Sequence, residues 1–315
     1  GRMRTVRVQI NKPFYTLYRI PSRYKICYGG RRSGKSFAVS QMLVQRALES
    51  RRKILCIRKF GTSVRFSTWP RVKDALESFS VLDKSKVHIG DREITLPNGS
   101  QFLFSGIDSP EKLKSAEGVT DVWIEEATEI LELDFDTVDA GLSTICTPAP
   151  EIWLTFNPIP SIQGVRHWVQ RRFIDKVPHE LSEIAVEGDI AIMRSVYSDN
   201  AFCPESTIRL LNSYKEDNPD LYRLWALGEF VSLHGAILDP EKIHSVGSIP
   251  YDARLVGHGL DFGFSNDPAA AVSVYVMDGH LYLRERLVAL GLTNPELSDG
   301  MEDSGLKKDG DLITA

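Results

Sequence analysis

Gly29-Gly30-Arg31-Arg32-Ser33-Gly34-Lys35-Ser36 fits the pattern G-x-x-x-x-G-K-[ST] without a mismatch. Lys25-Ile26-Cys27-Tyr28 precedes it and reads as a short buried strand. After it, over 36–49, Val39, Met42, Leu43 and Ala47 recur at helical spacing. A strand, a glycine-rich turn and a helix in that order form the arrangement a nucleoside triphosphate needs. Glycines let the backbone wrap the β- and γ-phosphates, and the helix points its positive end at them. Lys35 adds a full charge, and the Ser36 hydroxyl can ligate Mg²⁺.

A chain of 315 residues is long for one domain, so two are expected. Hydrophobic residues at 42% and charged residues at 25% describe a soluble globular protein able to bury a core. No apolar run approaches the length of a membrane span, and the first residues lack the apolar centre of a signal peptide, so a cytosolic protein is expected. Cys27, Cys56, Cys146 and Cys203 form no C-x-x-C pair, and no H-E-x-x-H suggests zinc. With a net charge of −4, overall electrostatics do not announce a nucleic-acid binder. Local clusters such as Arg51-Arg52-Lys53, Arg166 with Arg171-Arg172, and Lys307-Lys308 remain as possible phosphate contacts or solvated helix ends.

Residues 53–58 read as a second fully buried strand, which makes an α/β sheet. An amphipathic helix follows over 69–79, and short strands around Pro97-Asn98-Gly99 suggest an antiparallel flap. The apolar run 119–124 ends in Glu125-Glu126. In a P-loop enzyme an acid at the tip of such a strand holds Mg²⁺, and its neighbour can align and deprotonate water. Glu125 is therefore assigned to the metal and Glu126 to the water. The strand 152–156 ends at Asn157-Pro158, where Thr155 and Asn157 could sense the γ-phosphate, or simply close a strand at a turn. Residues 166–230 read as mostly helical. Beyond Gly235 and Pro240, strands over 255–262, 269–277 and 280–288 form a meander whose first member carries Asp261. An acid in mid-sheet is costly unless paired or bound to a cation. A carboxylate on the central strand of a three-stranded meander is how RNase H-like nucleases begin a two-metal site, with ions about 4 Å apart, and Asp261 is the candidate for it. Asp267 and Glu285 are further candidates.

Together these stretches resemble the large terminase subunit of tailed bacteriophages, the motor that packages and cuts viral DNA. The phosphate loop, Arg58-Lys59, Lys112-Leu113-Lys114-Ser115, Trp123-Ile124-Glu125-Glu126-Ala127, Thr155-Phe156-Asn157-Pro158, Tyr197-Ser198-Asp199-Asn200, and Asp261-Phe262-Gly263 with Asp267-Pro268 carry the likeness. The resemblance implies an α/β fold: a P-loop, RecA-like ATPase domain of the additional catalytic glutamate class, then an RNase H-like domain. The expected divisions are 1–180 for the ATPase core, 181–240 for a helical linker and 241–315 for the start of the nuclease. The next acids of that nuclease are not found before Leu312-Ile313-Thr314-Ala315, which reads as its next strand, so a truncated domain is expected.

The resemblance also implies ATP as ligand, Mg²⁺ at Ser36 and Glu125, and Mg²⁺ or Mn²⁺ at Asp261. Arg31 or Arg32 would serve as arginine finger, with Lys112 or Lys114 of a neighbouring subunit as fallback. Implied partners are double-stranded DNA, the portal protein, the small terminase subunit and further copies of the chain. These would form a closed ring of about five at the procapsid, in the cytoplasm of the infected host. A RecA-type filament protein would explain the phosphate loop and Glu126 but leave Asp261 without a purpose. A GTPase switch is disfavoured because no N-K-x-D follows the phosphate loop.

Overall fold

Apolar runs in the first two hundred residues become strands buried on both faces. The computed structural model describes residues 6–90, 92–107, 118–142, 148–160, 166–231, 244–263, 268–306 and 313–314. Nine strands among them form one sheet: β1 (Tyr24–Gly29), β2 (Lys53–Arg58), β3 (Lys86–His88), β4 (Glu93–Thr95), β5 (Gln101–Gly106), β6 (Asp121–Glu125), β7 (Glu151–Phe156), β8 (Ile184–Glu187) and β9 (Ile190–Ser195). Their order is β3-β4-β5-β2-β6-β7-β1-β9-β8. The run from β5 to β9 is parallel, with antiparallel strands at both edges.

Successive strand residues point to opposite faces, and each face is covered by helices. Cys27, Cys56, Trp123 and Trp153 pack beneath α1 (Lys12–Arg19), α2 (Lys35–Glu49) and α3 (Thr68–Ser78). Ile26, Leu55, Ile124 and Leu154 pack beneath α4 (Glu132–Gly141) and α5 (Trp168–Arg172). Burial on both faces is why these strands are continuous apolar runs rather than alternating ones.

Three sequence readings change. β5 is not part of a separate flap, because it pairs in parallel with β2 inside the main sheet. The segment 166–230 is not mostly helical, because β8 and β9 lie within it and β9 pairs with β1 along its whole length. Glu187-Gly188-Asp189 between two apolar stretches was the available hairpin signal. The arginines of the 166–172 cluster face acids: Arg166 pairs with Asp175, Arg171 with Glu132, and Arg172 with Asp136. Downstream, α6 (Glu205–Asp217) leads to a π-helical turn, Tyr222–Ala226.

The described contacts separate Gly1–Pro240 from a second unit, Glu241–Ala315. In that unit β10 (Arg254–Asp261), β11 (Ala269–Met277) and β12 (His280–Ala289) form an antiparallel meander. β13 (Ile313–Thr314) adds in parallel to β10. A helix the sequence reading omitted, α7 (Asn294–Asp303), packs Leu297 and Met301 on Ala269 and Ala271. Asp261 ends its strand and is exposed, so the expected cost of a carboxylate buried in mid-sheet does not arise.

Five charged side chains are buried at the amino edge of the parallel strands. Arg46 donates Nε to Asp121 at 2.7 Å and approaches Glu151 at 3.2 Å. Lys25 reaches Glu151 at 3.2 Å, and Arg52 lies 3.6 Å from Asp121. Trp153 Nε1 donates to the other oxygen of Glu151, and Thr120 Oγ1 to the Asp121 oxygen that faces Arg52. Burial pushes the Lys25 ammonium below its ordinary range, against the pull of Glu151. The network ties α2 to the first residues of β6 and β7. Removing one partner leaves uncompensated buried charge, so Asp121→Ala is expected to lower stability by about 3–5 kcal/mol. Urea unfolding reads this as a lower midpoint with an unchanged slope; a loss below about 1 kcal/mol would mean water reaches the arginines.

Candidate functional site

Three adjacent parallel strands end at one place. β7 lies between β6, which ends in Glu125, and β1, which leads into the phosphate loop. Side chains at the carboxyl edge of β7 therefore stand between the loop and the acids. The loop enters α2 through Gly34, whose φ of 83° is the left-handed value glycine tolerates. No side chain caps the first turn of α2, so its amides are available to an anion. The cavity in front of it is about 780 Å³ and is bounded by Lys35, Ser36, Glu125, Glu126, Asn157 and Arg31, among others.

Lys35 is buried and donates to the carbonyl of Gly30 at 3.2 Å and to Asn157 Oδ1. Burial lowers its pKa, while Glu126 and Glu125 pull it upward. Glu125 is buried as well, accepting from Thr155 Oγ1 and from the Ser36 side chain. Burial raises the Glu125 pKa, and the charge of Glu126 raises it further. Trp123 Nε1 donates to Thr155 Oγ1 at 2.8 Å, so the indole fixes the hydroxyl that holds the carboxylate. Glu126 has a φ of 55°, a left-handed conformation rare outside glycine and costly for a side chain to hold. That turn carries Glu126 out of the line of β6 to the cavity wall.

The structure thus brings Arg31 to Ser36, Glu125, Glu126 and Asn157 to one cavity, with Thr155 bonded to Glu125 and Gly29 and Gly30 leading into the loop. Ser36 and Glu125 supply hard oxygen donors side by side, a set that fits Mg²⁺. Arg31 and Arg32 both border the cavity. Lys112, Lys114 and Asp267 lie outside the described residues, and Asp261 and Glu285 belong to the second unit. Among the described residues, no three His, Cys, Asp or Glu side chains gather as a metal site, and no helix is long and apolar enough to cross a membrane.

Sequence reasoning gave no role to Asn200, and it missed Asn11, Ser195 and Arg71. Asn200 donates to the Arg32 carbonyl at 2.9 Å and accepts from Asn11 at 3.3 Å, while Ser195 Oγ bonds Ser33 Oγ at 2.9 Å. These groups brace the loop from the side of β9. Their signal was the Tyr197-Ser198-Asp199-Asn200 stretch, whose contact with the loop depends on the unread strand β9. Arg71, on α3, also borders the cavity.

The family model described as phage terminase large subunit matches residues 21–229. The PBSX phage terminase large subunit of Bacillus subtilis (strain 168) is 28% identical over 285 residues, covering 82% of this chain and 62% of that protein. The terminase large subunit of Bacillus phage SPP1 is 25% identical over 255 residues, covering 78% of this chain and 58% of that protein. The chain therefore spans about three fifths of the length of these curated relatives. The solved large terminase of a thermophilic bacteriophage superimposes with a TM-score of 0.56 at 18% identity, over 97% of this chain and 77% of that one. At that identity the likeness is one of fold. The same protein has been solved in complex with ADP and with ATP-γ-S.

Thr155 is the joint of this site, since its hydroxyl serves both Trp123 and Glu125. Thr155→Val keeps the shape but strands one buried donor and one buried acceptor, at an expected cost of about 1–3 kcal/mol. Chemical denaturation measures the loss; an unchanged midpoint would show that neither group relies on the hydroxyl.

Proposed function

The chain belongs to the phage terminase large subunit family, and on that premise we propose that its first unit hydrolyses ATP to drive double-stranded DNA into a procapsid. The observation that carries this reading is the convergence of Lys35, Glu125, Glu126 and Asn157 in front of the uncapped start of α2. The nucleotide complexes of the related solved protein support the choice of ligand.

In this reading the α2 amides and Lys35 take the β- and γ-phosphates. Ser36 and Glu125 would hold Mg²⁺, which neutralises phosphate charge when bound. Glu126 orients a water for in-line attack on the γ-phosphorus and accepts its proton as the bond to ADP breaks. Arg31 or Arg32 then faces the charge that develops. Lys35 must exchange Asn157 for a phosphate oxygen, so occupancy is communicated to the end of β7, the coupling role proposed for Thr155 and Asn157.

We assign residues 241–315 to the start of an RNase H-like nuclease in which Asp261 is one metal ligand. The parallel addition of β13 to an antiparallel meander supports that assignment. Portal protein, small terminase subunit and further copies of the chain are the proposed partners, in the host cytoplasm.

Lys35→Ala is expected to weaken ATP binding and turnover together. Glu126→Gln should keep binding and lose most turnover, as when an interaction made only in the transition state is removed. Steady-state hydrolysis and nucleotide titration separate the two; Glu126→Gln turning over like the parent would remove Glu126 from the water. In a protein of the relatives' full length, Asp261→Ala should abolish metal-dependent plasmid cleavage and leave ATPase activity intact. Cleavage that survives the change places the nuclease centre elsewhere.

A further inference from the structure

Arg31 is held by a part of the chain far from the phosphate loop in sequence. Its backbone N–H donates to the carbonyl of Trp225 at 2.6 Å, and its guanidinium carbon lies 4.1 Å from the centre of the indole ring. Trp225 belongs to the π-helical turn Tyr222–Ala226, closed by Leu227 N donating to Tyr222 O at 3.1 Å. Near the end of a helix the last carbonyls lack partners within it, and here one of them is given to the phosphate loop. π-helical turns occur disproportionately at functional sites.

The turn is itself anchored. Arg194 of β9 donates Nε to the Leu227 carbonyl at 3.0 Å and pairs with Glu229 at 3.2 Å, and Tyr214 of α6 meets the Trp225 ring edge-on at 5.6 Å. Gly30 is pressed so closely on the Ala226 carbonyl that a β-carbon would collide with it. Loop and turn therefore keep one relative position.

We propose that Trp225 is a positioning residue: its ring holds the Arg31 guanidinium at the edge of the phosphate cavity, making Arg31 rather than Arg32 the arginine that acts on the γ-phosphate. This rests on the ATPase reading above. Stacking suits the task because an aromatic face fixes a guanidinium plane through its charge while using none of the five N–H donors. A carboxylate partner would occupy those donors.

The test compares Trp225→Leu, Trp225→Phe, Arg31→Gln, Arg32→Gln and the Trp225→Leu/Arg31→Gln double variant in ATPase kinetics. Trp225→Leu is expected to lower kcat by about tenfold or more with KM for ATP within about threefold, and Trp225→Phe to restore most of the rate. In the Arg31→Gln background Trp225→Leu should cost nothing further, since both changes remove the same interaction. A role confined to packing would not give that non-additivity. Independent, multiplying losses, or an unchanged kcat in Trp225→Leu, overturn the proposal while leaving the ATPase reading in place. Should Trp225→Leu fail to fold, the two arginine variants decide: Arg31→Gln must lose about 10³-fold and Arg32→Gln far less, and the reverse order overturns it. A parent chain without ATP hydrolysis overturns both readings.

Discussion

A buried ammonium with neutral partners is the constraint on which the nucleotide cavity depends. Lys35 is withdrawn from water and held by a backbone carbonyl and an amide oxygen. Of the two carboxylates whose charge acts on it, Glu126 and Glu125, the latter is itself occupied by Thr155 and Ser36. Each charge is thereby kept apart from direct neutralisation by the other, an arrangement that leaves a cation available for an incoming phosphate. Glu125, Thr155 and Asn157 stand at or just past strand ends, which fixes these partners in place. The strand between the phosphate loop and the acids supplies both fixing groups, Thr155 and Asn157.

The opposite edge of the same elements bears the complementary arrangement, with cations and anions joined directly. Arg46 closes on Asp121 and Glu151, where β6 and β7 begin. One helix and two strands thus run between a fully paired ionic cluster and a partly unpaired one. Rigid pairing at the base limits how far the strand ends can shift, which favours a preformed site at the top.

Much of this was legible in the sequence because burial on both faces leaves a plain mark. β1, β2, β6 and β7 are uninterrupted apolar runs, and the acids at the tip of β6 stand out against them. β9 was not read because Ile190-Ala191-Ile192-Met193 is followed by Arg194 and Ser195, whose partners are contributed by residues far away in the chain. The role of Trp225 could not be read at all, since its partner Arg31 is far away in the chain. The burial of Asp261 was misjudged for a simpler reason: an apolar run does not reveal where pairing stops, and the acid falls on the last paired residue.

The first two glycines of the phosphate loop carry a consequence for portability. Gly29, at a φ of 138°, presses on the backbone of Ser195 and Gly228, and Gly30 presses on that of Ala226. Both requirements are imposed by neighbours in the fold, beside any that phosphate imposes. The eight-residue signature is thus a composite, its latter half shaped by ligand chemistry and its start by the local architecture. Grafted onto another sheet without β9 and the 222–228 turn, the octapeptide would keep its recognisable spelling and lose the mould that gives it shape.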